Sequence, residues 1–264
     1  MKVMGILNVT PDSFSDGGKH NALDAALCCA QEMINDGAVV IDVGGESTRP
    51  GYTRITDEEE IERVVPVIEA IHKQFDVDIS IDTYKAAVAG AALGAGANIV
   101  NDIWGLKTLS AEDGSLKPNE DMAKLIADTN AVCVLMHNRD KAQYDDLIPD
   151  MISDLRGTLE IADRFGISKD KIILDVGIGF AKSYEDNLCV LKNLSEFKKL
   201  GYPLLLGSSR KSVIGNALDL PVGERLEGTI VTSVLATLAG YDYVRVHDVK
   251  ENIRAIKMTE AIYG

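Results

Sequence analysis

The chain has 264 residues, 46% hydrophobic and 26% charged, enough for one large core and within the size range of an α/β barrel. Its formal net charge of −14 makes nucleic acid and anionic membrane surfaces poor partners, so an anionic substrate would need a few cations concentrated in one place. No apolar run approaches the ~20 residues of a membrane span, and Lys2 followed by VMGIL is too short for a signal sequence, which reads as a cytoplasmic chain.

Short β-branched runs alternate with stretches of helical length. In chain order a strand is expected at 3–9 and a helix at 21–36, then strand 38–43 and helix 57–74, strand 77–82 and helix 84–94, strand 97–102 and helix 120–129. The second half continues the pattern: strand 131–137 and helix 149–165, strand 171–176 and helix 185–199, strand 203–207 and helix 223–239, strand 243–247 and helix 249–262. Thr56, followed by acidic residues at 57–60, suits a helix start, and Gly37, Gly166 and Gly201 sit where helices should stop. The stretch 104–119 reads as a long loop. Among the four cysteines there is no C-x-x-C pair, which argues against a disulfide scaffold or structural zinc, and Cys133 falls inside an apolar run as a packing residue. Eight strand–helix units point to a closed (β/α)8 TIM barrel forming a single domain over 1–264, with an open doubly wound sheet as the alternative.

In such a barrel every strand C-terminus faces one rim, and catalytic groups gather there. The polar residues that follow the apolar runs are Asn8, Asp42, Asp82, Asn101 with Asp102, His137, Asp175, the GSSRKS run at 207–212, and Arg245 with His247. Taken singly, an Asp there is most simply a helix cap and a His a satisfied core residue. Taken together, Asp82, Asn101 and Asp175 are acceptors suited to a flat heterocycle with adjacent N–H donors. Arg49, Lys211, Arg245 and His247 supply a cationic pole, and Asn8 is an oxygen donor suited to Mg2+ beside substrate phosphates. The first loop, NVTPDSFSDGG at 8–18, is either a surface turn or a functional loop hung from a core strand.

These motifs resemble those of the dihydropteroate synthase family of pterin-binding barrels. The resemblance runs through GILNVTPDSFSDGG (5–18), IDVGGESTRPG (41–51), ISIDTYK (79–85), IVNDIWG (99–105), LMHNR (135–139), ILDVGIGFAKS (172–183), LLLGSSRKSVIG (204–215) and RVHDV (245–249). It implies a transferase that joins 6-hydroxymethyl-7,8-dihydropterin diphosphate to p-aminobenzoate in folate biosynthesis, with early loss of diphosphate and capture of a pterin methylene cation. Carried over by motif, Asp82, Asn101, Asp175 and Lys211 would bind the pterin, with Met136 and Gly207 lining its pocket. Asn8 would contact Mg2+, and Arg49, Arg245 and His247 the diphosphate. Thr48, Pro50, Phe180, Lys211 and Ser212 would form the p-aminobenzoate wall. Phe14 and Asp16, on the first loop, would complete that pocket and stabilise the cation; Asp16, Phe14, Lys211, Arg245 and Asp82 form the expected catalytic set. The strand-six motif usually reads Asp-Pro-Gly and here reads Asp175-Val176-Gly177, which leaves the turn without the φ restraint of proline. A corrinoid-dependent methyltransferase on the same barrel is the rival reading, though it has no use for the first loop or for GSSRK. The nearly apolar helix at 223–239 is either packed in the outer ring or part of a subunit interface, the family being commonly homodimeric.

Overall fold

The computed structural model describes residues 1–9, 18–46, 54–110 and 115–263, with the side chains of 18–21 left aside. Eight parallel strands close into a barrel: β1 (Lys2–Asn8), β2 (Val40–Gly44), β3 (Asp78–Asp82), β4 (Ile99–Asp102), β7 (Val132–Met136), β8 (Ile172–Asp175), β9 (Leu204–Leu206) and β10 (Tyr243–Val246). They neighbour one another in that order, and β10 pairs back onto β1 with Met4 opposite Arg245. These strands are short and buried on both faces, because helices cover the outside of a parallel barrel and side chains fill the inside.

The outer ring is α1 (Gly18–Asp36), α2 (Asp57–Gln74), α3 (Ala86–Gly94), α4 (Glu120–Thr129), α5 (Leu147–Arg164), α6 (Tyr184–Lys192), α7 (Ser212–Leu218), α8 (Leu226–Leu238) and α9 (Val249–Tyr263). Thr56 caps α2 as expected, accepting from Glu59 N at 3.2 Å, with four acidic residues in the first turn. Gly37, Gly166 and Gly201 adopt left-handed φ of +107°, +78° and +72° at the ends of helical segments. Cys133 is fully buried. None of the described helices is long and apolar enough to cross a membrane.

Three local features differ from the expectation. The 104–119 loop contains a two-stranded antiparallel hairpin, β5 (Lys107–Leu109) with β6 (Leu116–Pro118), each strand too short for an alternating pattern to register. The helix expected over 185–199 ends at Lys192 and resumes as a 3-10 turn over Leu194–Leu200, where the Asn193 amide turns back to the Cys189 carbonyl at 2.8 Å. The seven-residue α7 follows β9 after the five-residue loop 207–211 and is too short to show amphipathic periodicity.

Candidate active site

Side chains two apart on a strand share a face. Met4, Val40, Ile99, Val134, Ile173 and Leu205 form an apolar cluster inside the barrel, with Tyr243 packed against it. Two residues further along, toward the C-terminal rim, the same alternation brings Asp42 after Val40, Asn101 after Ile99, Met136 after Val134, Asp175 after Ile173, Gly207 after Leu205 and Arg245 after Tyr243. Asp82 follows buried Ser80 in the same way. The residues expected to bind substrate are thus the next interior layer above a hydrophobic plug, a placement dictated by strand register.

Arg245 organises the first half of this layer. Its Nε donates to Asp42 Oδ2 at 2.6 Å and its Nη2 to Asp82 Oδ2 at 2.6 Å, while Asn101 Nδ2 donates to the same Asp42 oxygen at 3.3 Å. Burial opposes the charge on the guanidinium, but Asp42 and Asp82 outweigh it and hold Arg245 protonated. Two carboxylates share one cation, so burial and the Asp42 charge push Asp82 up to about 7 against the pull of Arg245. The second oxygens of both carboxylates, Asp42 Oδ1 and Asp82 Oδ1, are buried without a hydrogen-bond partner. Buried acceptors of this kind are costly unless something donates to them.

Asp175 and Lys211 form the other half. Asp175 is raised by burial, against the pull of Lys211. Lys211 is pushed down to about 8 by burial, against the pull of Asp175. Asp175 Oδ1 accepts from Gly177 N at 2.8 Å. Lys211 donates to the Ile178 carbonyl, and its Nζ lies 4.7 Å from the Phe180 ring centroid. Gly207 stands close to this carboxylate: a Cβ there would lie 3.4 Å from Asp175 Oδ2, in van der Waals contact. Met136 is buried and pairs in register with Asp175.

Asn8, half-buried at the end of β1, completes the opposite side; a Cβ on Gly44 would lie 3.6 Å from its Oδ1 and 3.7 Å from Asp82 Cβ. His247 Nδ1 lies 3.0 Å from Ser209 Oγ, and Ser212 is exposed at the first position of α7, just after Lys211. Phe14, Asp16, Thr48, Arg49 and Pro50 lie outside the described residues.

Against this geometry, a family profile described as pterin binding enzyme matches residues 4–247. The dihydropteroate synthase of Clostridium beijerinckii is 56% identical over 98% of this chain and 93% of its own. The chain belongs to the dihydropteroate synthase family. Among solved structures, a dihydropteroate synthase from Clostridium difficile determined in the presence of pteroic acid matches with a TM-score of 0.92 and 50% identity, covering 100% of this chain and 97% of that one. The Xanthomonas albilineans dihydropteroate synthase with 4-aminobenzoic acid matches with a TM-score of 0.90 and 38% identity, covering 100% and 93%. Nothing in these relationships favours the corrinoid methyltransferase reading, and the chain is a transferase.

Dihydropteroate synthases usually carry proline where this chain has Val176, yet the turn is not loose. Val176 is fully buried, Gly177 takes φ +67°, and a Cβ on Gly177 would fall 2.1 Å from the His137 carbonyl oxygen. Asp42 was legible as a strand end but not as a partner of Arg245, because register across the lumen is invisible to a local pattern. The cluster of Lys182, His137 and Asp154 behind Asp175 also escaped the sequence; its one visible signal is the lysine in GIGFAKS.

Proposed function

We propose that the chain joins 6-hydroxymethyl-7,8-dihydropterin diphosphate to p-aminobenzoate, releasing diphosphate and forming 7,8-dihydropteroate. The observation that carries this reading is the acceptor layer of Asp82, Asn101 and Asp175 facing Lys211 and Arg245 on one rim, in which Asp82 Oδ1, like Asp42 Oδ1 beside it, is buried without a hydrogen-bond partner. Asp82, Asn101 and Asp175 accept from the N–H edge of the pterin, and Met136 and Gly207 line its plane. The bond between the pterin methylene and the diphosphate oxygen breaks, and its electron pair leaves with the diphosphate. The aniline nitrogen then donates its lone pair to the methylene carbon and loses a proton. Asp42, Asp82 and Asp175 carry three potential negative charges against the two of Arg245 and Lys211, an arrangement that favours positive charge developing on the pterin.

Arg245, with His247 on Ser209, faces the departing diphosphate, and Arg49 is proposed as a further contact there. The Asn8 amide oxygen is a hard donor, which fits Mg2+, a cation usually shared between one or two protein oxygens and substrate phosphates. Bound there, Mg2+ would supply charge neutralisation to the leaving group. Phe180 and Ser212 flank the second substrate beside Lys211, with Thr48 and Pro50 as proposed further walls and Phe14 and Asp16 as proposed contributors from the first loop. We place the enzyme in the cytoplasm and propose that it is a homodimer; the apolar side chains that α8 and α9 expose, Val231, Leu235, Met258 and Ile262, support the dimer.

The test is to mix purified protein with the pterin diphosphate, p-aminobenzoate and MgCl2 and to follow dihydropteroate by mass-resolved chromatography, with Lys211→Ala and Asp16→Ala alongside. Product from the wild type and a large loss in both variants are expected. A folded, pterin-binding wild type that forms no product would overturn the reading.

A further inference from the structure

Lys182 sits behind Asp175, and the reaction as drawn above makes no use of it. Its Nζ lies 3.0 Å from the Gly177 carbonyl oxygen, 3.0 Å from that of Phe180 and 3.1 Å from His137 Nδ1. An ammonium has three donors and no acceptor. His137 Nδ1 must therefore accept, which leaves the ring proton on Nε2, and Nε2 lies 3.0 Å from Asp154 Oδ2. Asp154 in turn takes Arg139 Nε at 2.6 Å. The Arg139 guanidinium lies over the Tyr144 ring, 4.3 Å from its centroid, and Tyr144 donates its hydroxyl to the Ala181 carbonyl at 2.8 Å. The chain of contacts thus leaves the loop at Lys182 and returns to it at Ala181.

Between these ends the backbone is pinned almost atom by atom. The carbonyls of Gly177 and Phe180 go to Lys182, that of Ile178 to Lys211 and that of Ala181 to Tyr144, while Gly179 N donates to Asn187 Oδ1 at 2.6 Å. Ala181 is held at φ +44°, a conformation that a non-glycine residue keeps only when its surroundings enforce it. Loop carbonyls at a rim are ordinarily satisfied by water. Here two of them are met by a buried ammonium whose third contact is a histidine nitrogen, and burial pushes that ammonium down to about 7 against the opposing pull of Asp175. A costly group kept at this point has a use beyond filling space. Asp175 touches Gly177 N and Lys182 touches Gly177 O, so one peptide turn separates the substrate-facing carboxylate from the cation behind it.

We propose that Lys182 is a positioning residue: it holds the 177–181 loop in the shape that presents Phe180 to the second substrate, and it locks His137 in its Nε2–H tautomer so that Asp154 and Arg139 brace the loop from outside. This rests on the dihydropteroate synthase reading for its kinetic arm only. Asp175 is fixed independently by β8, which is paired on both sides, whereas Phe180 lies on the loop itself, outside any strand.

The experiment is Lys182→Met in the full chain. The p-aminobenzoate KM should rise by about tenfold or more while the Kd for the pterin diphosphate stays within about threefold, a split that general loss of folded protein would not produce. In parallel, nitrogen-15 NMR of the four histidines, with His137→Gln for assignment, should show His137 as the neutral Nε2–H tautomer in the wild type and released from it in Lys182→Met. An unchanged p-aminobenzoate KM in a folded variant, or a wild-type His137 protonated at Nδ1, overturns the proposal. Should Lys182→Met fail to fold, Asp154→Asn at the half-exposed end of the network takes its place with the same two readouts. If the wild type makes no dihydropteroate, the reaction assignment fails, and the histidine spectrum still decides the Lys182–His137 arrangement.

Discussion

Arg245 and Asp82 meet across the barrel lumen, Nη2 to Oδ2 at 2.6 Å, although 163 residues separate them in sequence. The same guanidinium holds Asp42, so its removal strands two buried carboxylates. Arg245→Met should lower stability by about 3–5 kcal/mol, the range for breaking a buried ion pair from one side. Urea unfolding at neutral pH measures it. A loss below about 1 kcal/mol would show that the carboxylates find other compensation.

The Asp82 pKa gives a pH signature. Asp82 is pushed up to about 7 from an unfolded value of about 4, so the folded state holds the proton more tightly. Its contribution to stability is full below about pH 4 and is lost as pH rises through about 7. Lys211, pushed down to about 8, acts in the opposite sense: its contribution is present above its unfolded value near 10.4 and is lost as pH falls through about 8. Unfolding free energy measured from pH 4 to 8 should therefore fall less in Asp82→Asn than in wild type. For catalysis, kcat/KM for the pterin diphosphate should fall below about pH 7 as Asp82 takes up its proton, and Asp42→Asn, which removes a negative charge that raises Asp82, should move that acid limb downward.

How much of this was legible before the structure follows from range. The eight strands, their order and most of the helices rest on periodicities a few residues long, and so do the rim positions of Asn8, Asp82, Asn101, Asp175, Lys211 and Arg245. Contacts across the lumen have no local signature: Asp42 reads as one more strand end until β1–β10 closure brings Arg245 over it. His137 illustrates the opposite case, since its bland reading as a satisfied buried residue is what the structure shows. The hairpin of β5 and β6 and the short α7 were missed because three- and seven-residue elements are shorter than the patterns that reveal them.

Gly177 tests whether the Asp175-Val176-Gly177 turn is as constrained as it looks. A methyl group there would lie 2.1 Å from the His137 carbonyl oxygen, and the residue would also have to hold φ +67°. Gly177→Ala should cost more than about 1–2 kcal/mol, the left-handed penalty alone, because backbone on both sides must shift. Asp175 accepts from Gly177 N, so the pterin diphosphate Kd should weaken as well. Calorimetric binding and thermal unfolding of the same sample separate the two effects; an unchanged Tm would refute the clash.

Asn8 is the one described side chain assigned to Mg2+. Asn8→Ala should raise the MgCl2 concentration for half-maximal activity by about tenfold, the loss expected for one ligand, with the p-aminobenzoate KM unaffected at saturating metal. A chelator titration of wild type beside the variant provides the comparison. Equal metal dependence in the two proteins would remove Asn8 from that role.

The exposed apolar faces of α8 and α9 yield the last prediction. Val231 and Met258 are 58% and 62% exposed, and Leu235 and Ile262 each lie one helical turn beyond them. The two helices pack against each other, so the four side chains belong to one side of the outer ring. Singly exposed apolar residues are ordinary, but a run across neighbouring helices in a chain of net charge −14 calls for a cover, and the proposed second copy would supply one by burying the patch on itself. Val231→Glu combined with Met258→Glu places like charges opposite one another across a two-fold axis. Sedimentation velocity should then give a dimer for wild type and a monomer for the variant at the same concentration, with Asp82 and Arg245 untouched in the barrel and the pterin diphosphate Kd preserved. A wild type that sediments as a monomer, or a variant that remains dimeric, would assign this face to packing alone.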